Sequence, residues 1–208
     1  MIRPPGFRAA LFGLAAVGDV RRSQVSAERL IAAGSPDRFA YANQAHGAEV
    51  LEASAPGLLG DGDAIVTTTP DLAIVVATAD CVPIVLEGAG FAAVIHAGWR
   101  GAAAGVVGAT LDVLEERGLE PLRAAIGPAI GPCCYEVGNE VAATLSEHVA
   151  QTDWQTTSVD LPGAVAAALA PMPTWVSGRC TRTDPDLYSF RRDRTAGRQV
   201  AVAWLPPA

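Results

Sequence analysis

Histidine is scarce in this chain: three occur in 208 residues, so any imidazole chemistry must run through His46, His96 or His148. Cysteine is nearly as rare. The four thiols, Cys81, Cys133, Cys134 and Cys180, are too few and too irregularly spaced for a disulfide scaffold, which leaves them chemical or packing roles. Basic clusters are missing from a sequence of formal charge -7 and pI near 4.9. This excludes nucleic-acid and anionic-membrane binding, whose affinity depends on counterion release by Lys and Arg. No apolar run approaches the roughly 20 residues that cross a bilayer, and no charged start, apolar middle and small-residue cleavage site is present. The expected setting is cytoplasmic.

Apolar mass, by contrast, is plentiful. Half of the chain is hydrophobic, enough to bury the core of one sizeable domain. Short extended runs are predicted at 39–43, 49–53, 64–68, 72–77, 82–87 and 91–96. Several are continuous Val, Ile and Ala stretches, the mark of sheet buried on both faces. A helix is predicted over 101–117, with Val106, Val107, Thr110, Leu111 and Leu114 on one stripe and Gly118 as its stop. Other helices are expected over 26–33 with Ser26 as cap, over 139–149, and over 160–169 with Asp160 as cap. Strands at 123–126, 174–177 and 199–205 complete a mixed α and β domain, and the first 35 residues read mainly as loop.

The segment 91–105, F-A-A-V-I-H-A-G-W-R-G-A-A-A-G, carries His96 from the end of a buried strand straight into a helix start. That is where a site belongs. His46 comes just after a strand in N-Q-A-H-G, with Gly47 leaving room beside the ring, and Cys81 lies between two apolar runs in A-D-C-V-P. Two imidazoles and one thiolate suit catalytic zinc, a borderline-soft ion, and leave a fourth position open. The bland alternative is a boundary histidine and a small buried cysteine. His148, near the end of a late helix, reads as a surface residue.

Asp80 is a candidate to orient a histidine from behind, whereas Asp61 and Asp63 in G-D-G-D read as a tight turn. Arg100 stands beside free backbone N–H groups at a helix start, an arrangement that holds phosphate or carboxylate. Trp99 could stack on a flat ring. The stretch 127–136, G-P-A-I-G-P-C-C-Y-E, is a stiff turn suited to a pocket wall that presents Tyr135 and Glu136, and its adjacent cysteines read as packing. Arg191, in Y-S-F-R-R-D, is a second anion candidate.

Taken together, N-Q-A-H-G at 43–47, G-D-A-I-V at 62–66, T-A-D-C-V-P at 78–83, H-A-G-W-R-G at 96–101 and I-G-P-C-C-Y-E-V at 130–137 resemble the bacterial YfiH-like, laccase-domain family. C-T at 180–181, Y-S-F-R-R-D at 188–193 and G-R-Q at 197–199 extend the likeness over about residues 39 to 205. The resemblance implies an α+β fold, a layered α/β/β/α sandwich with mixed β-sheets, as a single domain over 1–208. It implies zinc on His46, Cys81 and His96, and a purine nucleoside phosphorylase for adenosine, inosine and methylthioadenosine with adenosine deaminase activity. Zinc-activated water or phosphate would then attack the nucleoside. Asp80, Arg100 and Glu136 are the candidate catalytic residues; Gln44, Trp99, Tyr135 and Arg191 are the candidate substrate contacts. Family members begin with a longer region containing an S-T-R-x-G-G-x-S-like segment. Here only L-A-A-V-G-D at 14–19 matches the stretch just C-terminal to that segment, so a shortened N-terminus is expected.

The laccase label fails on ligand count, because a type 1 copper with a trinuclear cluster needs far more imidazoles than three. Two other readings compete with the zinc enzyme. One is a metal-free hydrolase with Cys81 as nucleophile and His96 as its base; the other is a non-catalytic binder of nucleosides or cell-wall sugars. The expected partners are a small nucleoside and phosphate.

Overall fold

Alternation along the strands sets the layers in this computed structural model, which describes residues 1–207. The strands are β1 (Ala10–Phe12), β2 (Phe39–Asn43), β3 (Val50–Glu52), β4 (Gly57–Asp61), β5 (Ala64–Thr67), β6 (Ala73–Thr78) and β7 (Val82–Gly88). Next in the chain are β8 (Phe91–Ala97), β9 (Pro121–Ile126), β10 (Val149–Gln151), β11 (Thr157–Val159), β12 (Thr174–Val176) and β13 (Gln199–Ala203). The helices are α1 (Gln24–Ala32), α2 (Trp99–Ala103), α3 (Val106–Glu116), α4 (Asn139–Thr144), α5 (Leu161–Ala168) and α6 (Phe190–Asp193).

One sheet has the order β1-β13-β6-β2-β4 and the other β12-β9-β7-β8-β5-β3, while β10 and β11 pair with each other. Both sheets mix parallel and antiparallel neighbours. Between them, Phe12, Ala40, Ile74 and Val76 of one sheet pack on Ile65, Val85, Val94 and Ala125 of the other. The opposite parity faces outward. Leu11, Val75, Val200 and Val202 meet Leu30 of α1, and Ile84, Leu86, Ala93 and Ile95 meet Val106, Leu114 and Val165 of the other helices. Helix, sheet, sheet and helix therefore stack as the expected α/β/β/α sandwich.

Several local expectations shift. The helix expected over 101–117 begins at Trp99 and is broken at Gly105, whose φ of +79° no helical residue adopts, so α2 and α3 are separate. Ser23, not Ser26, caps α1; its hydroxyl accepts the Ser26 N–H, and Ser26 itself is buried. The helix expected over 139–149 stops at Thr144, and a 3-10 turn at Ser146–His148 leads into β10. Asp160 does cap α5, accepting the Gly163 N–H at 2.9 Å. Strand β1 lies in the region read as loop, where it pairs with β13. No helix among the described residues is long and apolar enough to cross a membrane.

Candidate metal centre and cleft

Strand register builds the site. In the β7–β8 ladder Val82 faces Ala97, and in the β5–β8 ladder Ala64 faces Ile95, so Cys81 and Asp63, one residue before those strands, flank His96 on either side. The His96 N–H donates to the Asp63 carbonyl at 2.7 Å. His46 arrives from the loop that leaves β2 in the other sheet and closes the group. The ligand-capable atoms of His46, Cys81 and His96 all lie within 4.8 Å of one another, and the two imidazoles meet edge to face with centroids 4.8 Å apart.

Asp63 ties the trio together. Its carboxylate accepts from His96 Nδ1 at 2.7 Å and from the backbone N–H groups of His46 at 3.0 Å, Gly47 at 2.7 Å and Ala45 at 3.2 Å. Fixing Nδ1 leaves Nε2 of His96 as the free donor atom. The same bonds hold His46 in the left-handed region at φ 62°, a conformation that costs a non-glycine residue about 1–3 kcal/mol. The turn reading of Asp63 is thus corrected, and so is the placing of Asp80 behind a histidine. Asp80, itself at φ 91°, accepts instead from the Thr181 hydroxyl and the Arg191 N–H, both at 2.6 Å.

The charges reflect this geometry. Burial pushes the Cys81 thiol up, but hydrogen bonds and charge from His46 and His96 outweigh it and bring the group down to about 6. Burial disfavours a charged His96, yet Asp63 and Cys81 raise it to about 9. Burial likewise opposes the Asp63 carboxylate, and His96 with the Gly47 and His46 N–H groups holds it below its ordinary value. Cys81 is therefore a thiolate at neutral pH, the form that binds metal. Gly98 gives the backbone clearance: a Cβ there would meet His46 Cδ2 at 2.9 Å and the Cys81 sulfur at 3.2 Å. A nitrogen, nitrogen, sulfur donor set with a braced histidine fits a metal ion of borderline softness.

Above the trio opens a cleft of about 580 Å³, lined by Gln44, Asp80, Tyr135, Phe190 and four arginines, Arg21, Arg22, Arg191 and Arg198. Arg191 sits over the Tyr135 ring at 5.1 Å and donates to the Glu136 carbonyl at 2.6 Å. Burial raises the Tyr135 phenol to about 12, and the charges of Cys81 and Asp80 add to this while Arg191 and Arg100 oppose it. Gln44 reaches the wall, but its amide clamps both backbone groups of Ala77, at 2.8 and 2.9 Å, and accepts from Arg21.

Three expected site residues stand outside the cleft lining. Arg100 is exposed and lies over its neighbour Trp99 at 4.3 Å, while Trp99 packs on the helical core. Glu136 bridges to Ser158 in extended backbone, which sends successive side chains to opposite sides, and its exposed carboxylate accepts the Trp154 indole N–H at 3.0 Å. Asp63, Gly98, Phe190, Arg21, Arg22 and Arg198 were not expected here. Asp63, in G-D-G-D, reads locally as a turn, and its role shows only once β5 and β8 are in register.

The structure is thus a two-sheet α/β/β/α sandwich with an imidazole and thiolate trio, able to hold an ion, in an arginine-lined cleft. The chain belongs to the family described as multi-copper polyphenol oxidoreductase laccase, whose model matches residues 12–206. It is 41% identical over 210 residues, 91% of this chain and 86% of the relative, to a protein named purine nucleoside phosphorylase from Streptomyces coelicolor. Among solved structures, YlmD from Geobacillus stearothermophilus superposes with a TM-score of 0.82 at 28% identity, covering 100% of this chain and 98% of that one. The YfiH protein of Bacillus licheniformis, at 22% identity, shares the fold with a TM-score of 0.83 over 94% of this chain and 92% of its own.

Proposed function

We propose that this protein is a zinc-dependent purine nucleoside phosphorylase acting on adenosine, inosine or methylthioadenosine, with adenosine deamination as a second reaction in the same cleft. One observation carries the proposal: the donor trio forms the floor of a cleft whose walls combine four arginines with the side chains of Tyr135 and Phe190. The volume, about 580 Å³, lies within the range of small-molecule sites, about 300–1,000 Å³. The name borne by the Streptomyces relative points the same way.

His46, Cys81 and His96 would hold the zinc, which would supply a Lewis acid. The protein's own residues do the holding. Tyr135 and Phe190 offer flat apolar faces for a purine, and Arg191 with Arg198 offers charged donors to phosphate. In phosphorolysis a phosphate oxygen bonds to ribose C1′ as the bond from C1′ to the purine breaks, and the purine departs with the electron pair and gains a proton. Asp80 acts as a positioning residue, since its bond to the Arg191 N–H fixes where that arginine stands. In deamination, water replaces the amine on C6 and ammonia leaves.

The deciding assay incubates zinc-loaded protein with adenosine, inosine or methylthioadenosine, with and without phosphate and chelator, and separates products by chromatography. Phosphate-dependent release of free base, abolished by chelation, is expected. Free base at the same rate without phosphate would overturn phosphorolysis, and absence of inosine from adenosine would remove the deaminase. The paired Cys81 and His96 also support a metal-free thiol hydrolase. Stoichiometric zinc that disappears in Cys81→Ser decides against it.

A further inference from the structure

Behind the Tyr135 wall lies a second group of ligand-capable side chains that the phosphorylase reading does not use. Cys133 and Cys134 end the Gly-Pro turn after β9, and Cys180 comes after β12. The parallel bridge between Ala129 and Cys180 brings the two segments together. The three sulfurs lie within 4.8 Å of one another, with Cys133 and Cys134 at 3.0 Å and Cys133 and Cys180 at 3.7 Å. We propose that Cys133, Cys134 and Cys180 form a second metal site, a three-sulfur site for copper(I), separate from the trio in the cleft.

The dimensions fit. With metal–sulfur bonds of about 2.3 Å, a three-coordinate planar ion spaces its sulfurs about 4 Å apart. The Cys133–Cys180 separation is near that value already, and Cys133 and Cys134 need to part by about an ångström, which side-chain rotation supplies. The donor set selects the ion. Among the described residues no imidazole or carboxylate shares the group, and all-thiolate ligation favours a soft ion, with copper(I) content at three-coordination, over zinc with its preference for four ligands.

Donors stand beside part of the group. The Gly131 N–H donates to the Cys180 sulfur at 3.2 Å, and Arg182 reaches the Cys134 carbonyl at 3.3 Å. Burial opposes the Cys180 thiolate, but the N–H groups of Gly131, Thr183 and Arg182 lower it below the ordinary thiol value. Cys133 and Cys134 move the other way, both raised by burial and by Cys180 beside them. Such crowding of thiols is relieved when a cation takes the place of their protons. An opening of about 270 Å³, lined by Gly131, Pro132, Asp160, Gly178 and Arg179, reaches Cys180 of the group. Binding transfers each ligating thiol's proton to solvent and changes no oxidation state.

The test uses zinc-loaded protein and copper(I) supplied anaerobically as its bicinchoninate complex. One equivalent of copper is expected to leave the chelator, with X-ray absorption showing three sulfur neighbours and no nitrogen. Cys180→Ser and Cys133→Ala should each weaken retention by at least about tenfold, whereas His46→Ala should retain the equivalent. Copper with nitrogen neighbours, lost in Cys81→Ser, would overturn the proposal by placing the ion in the cleft. Failure to withdraw copper would also overturn it, as would a Cys133–Cys180 disulfide in place of copper uptake. The absorption spectrum of the unsubstituted protein keeps the test decisive even where a variant fails to fold.

Discussion

The floor and the rim of the cleft are held in different ways. At the floor, His96, Cys81 and Asp63 stand at the ends of β8, β7 and β5, where ladder hydrogen bonds fix their spacing, and one buried carboxylate pins the His46 loop to them. At the rim Arg21, Arg22 and Arg198 come from loops and turns, and Arg191 from the single-turn helix α6. Arg21 is tied to Asp19 at 2.8 Å, Arg198 donates to the carbonyls of Thr195 and Gly197, and Arg191 rests on Tyr135. Floor substitutions should therefore move metal affinity and stability together, and rim substitutions should move ligand binding alone.

Asp63→Ala is the severest test of that contrast, because it strands a buried imidazole and three backbone N–H groups at once. Unfolding in denaturant should show a loss of about 3–5 kcal/mol, and zinc competition a drop of about 10–100-fold. Stability unchanged in Asp63→Ala would mean that the carboxylate does not brace the floor. Its sign with pH is fixed too: a carboxyl held below its ordinary value lends stability at neutral pH, and that stability is lost on acidification through the lowered value.

Gly98→Ala comes next. The added Cβ presses on His46 and Cys81, and about 1–3 kcal/mol of crowding should appear as weaker zinc retention in a protein that still folds. Equal zinc affinity would show that the floor can yield. At the rim, Arg198→Ala should raise KM for phosphate by about tenfold, the loss of one hydrogen bond to a charged group, with zinc content intact. A fall in zinc there would erase the distinction between the two regions.

A subtler check is chemical. In metal-free protein, iodoacetamide should alkylate Cys81 with a midpoint near pH 6, the rate falling below it as the thiolate gains a proton, and zinc should protect. A midpoint near the ordinary value of 9.0 would deny the partnership with His46 and His96. Arg100→Ala should have the smallest effect of all. Its guanidinium lies over Trp99 outside the cleft lining, so KM for phosphate should hold.

Much of the floor was legible because its residues sit at changes of pattern. His96 ends a continuous apolar run, Cys81 opens one and His46 stands just past one, and such breaks are visible in a single sequence. Asp63 was not, since G-D-G-D looks like any turn until register sets it opposite a histidine 33 positions away. Glu136 was placed by a related effect: extended backbone decides which of two neighbours faces a pocket, and with the bridge to Ser158 it is Tyr135 that lines the cleft. The rim arginines of 21, 22 and 198 carry no periodic signal. Gly105 shows the limit locally, for a glycine inside a helical stripe can be tolerated or can end the helix, and here it ends one.

Composition and period by themselves determined a buried, mixed α and β domain and narrowed the candidate ion ligands to a few side chains, because apolar runs and the points where they stop are properties of neighbouring residues. Strand order, the carboxylate behind His96, the glycine clearance at 98 and the choice of arginines over the cleft were decided only when two sheets packed. Those features depend on pairings between distant segments, and a linear pattern carries no term for the partner it will meet.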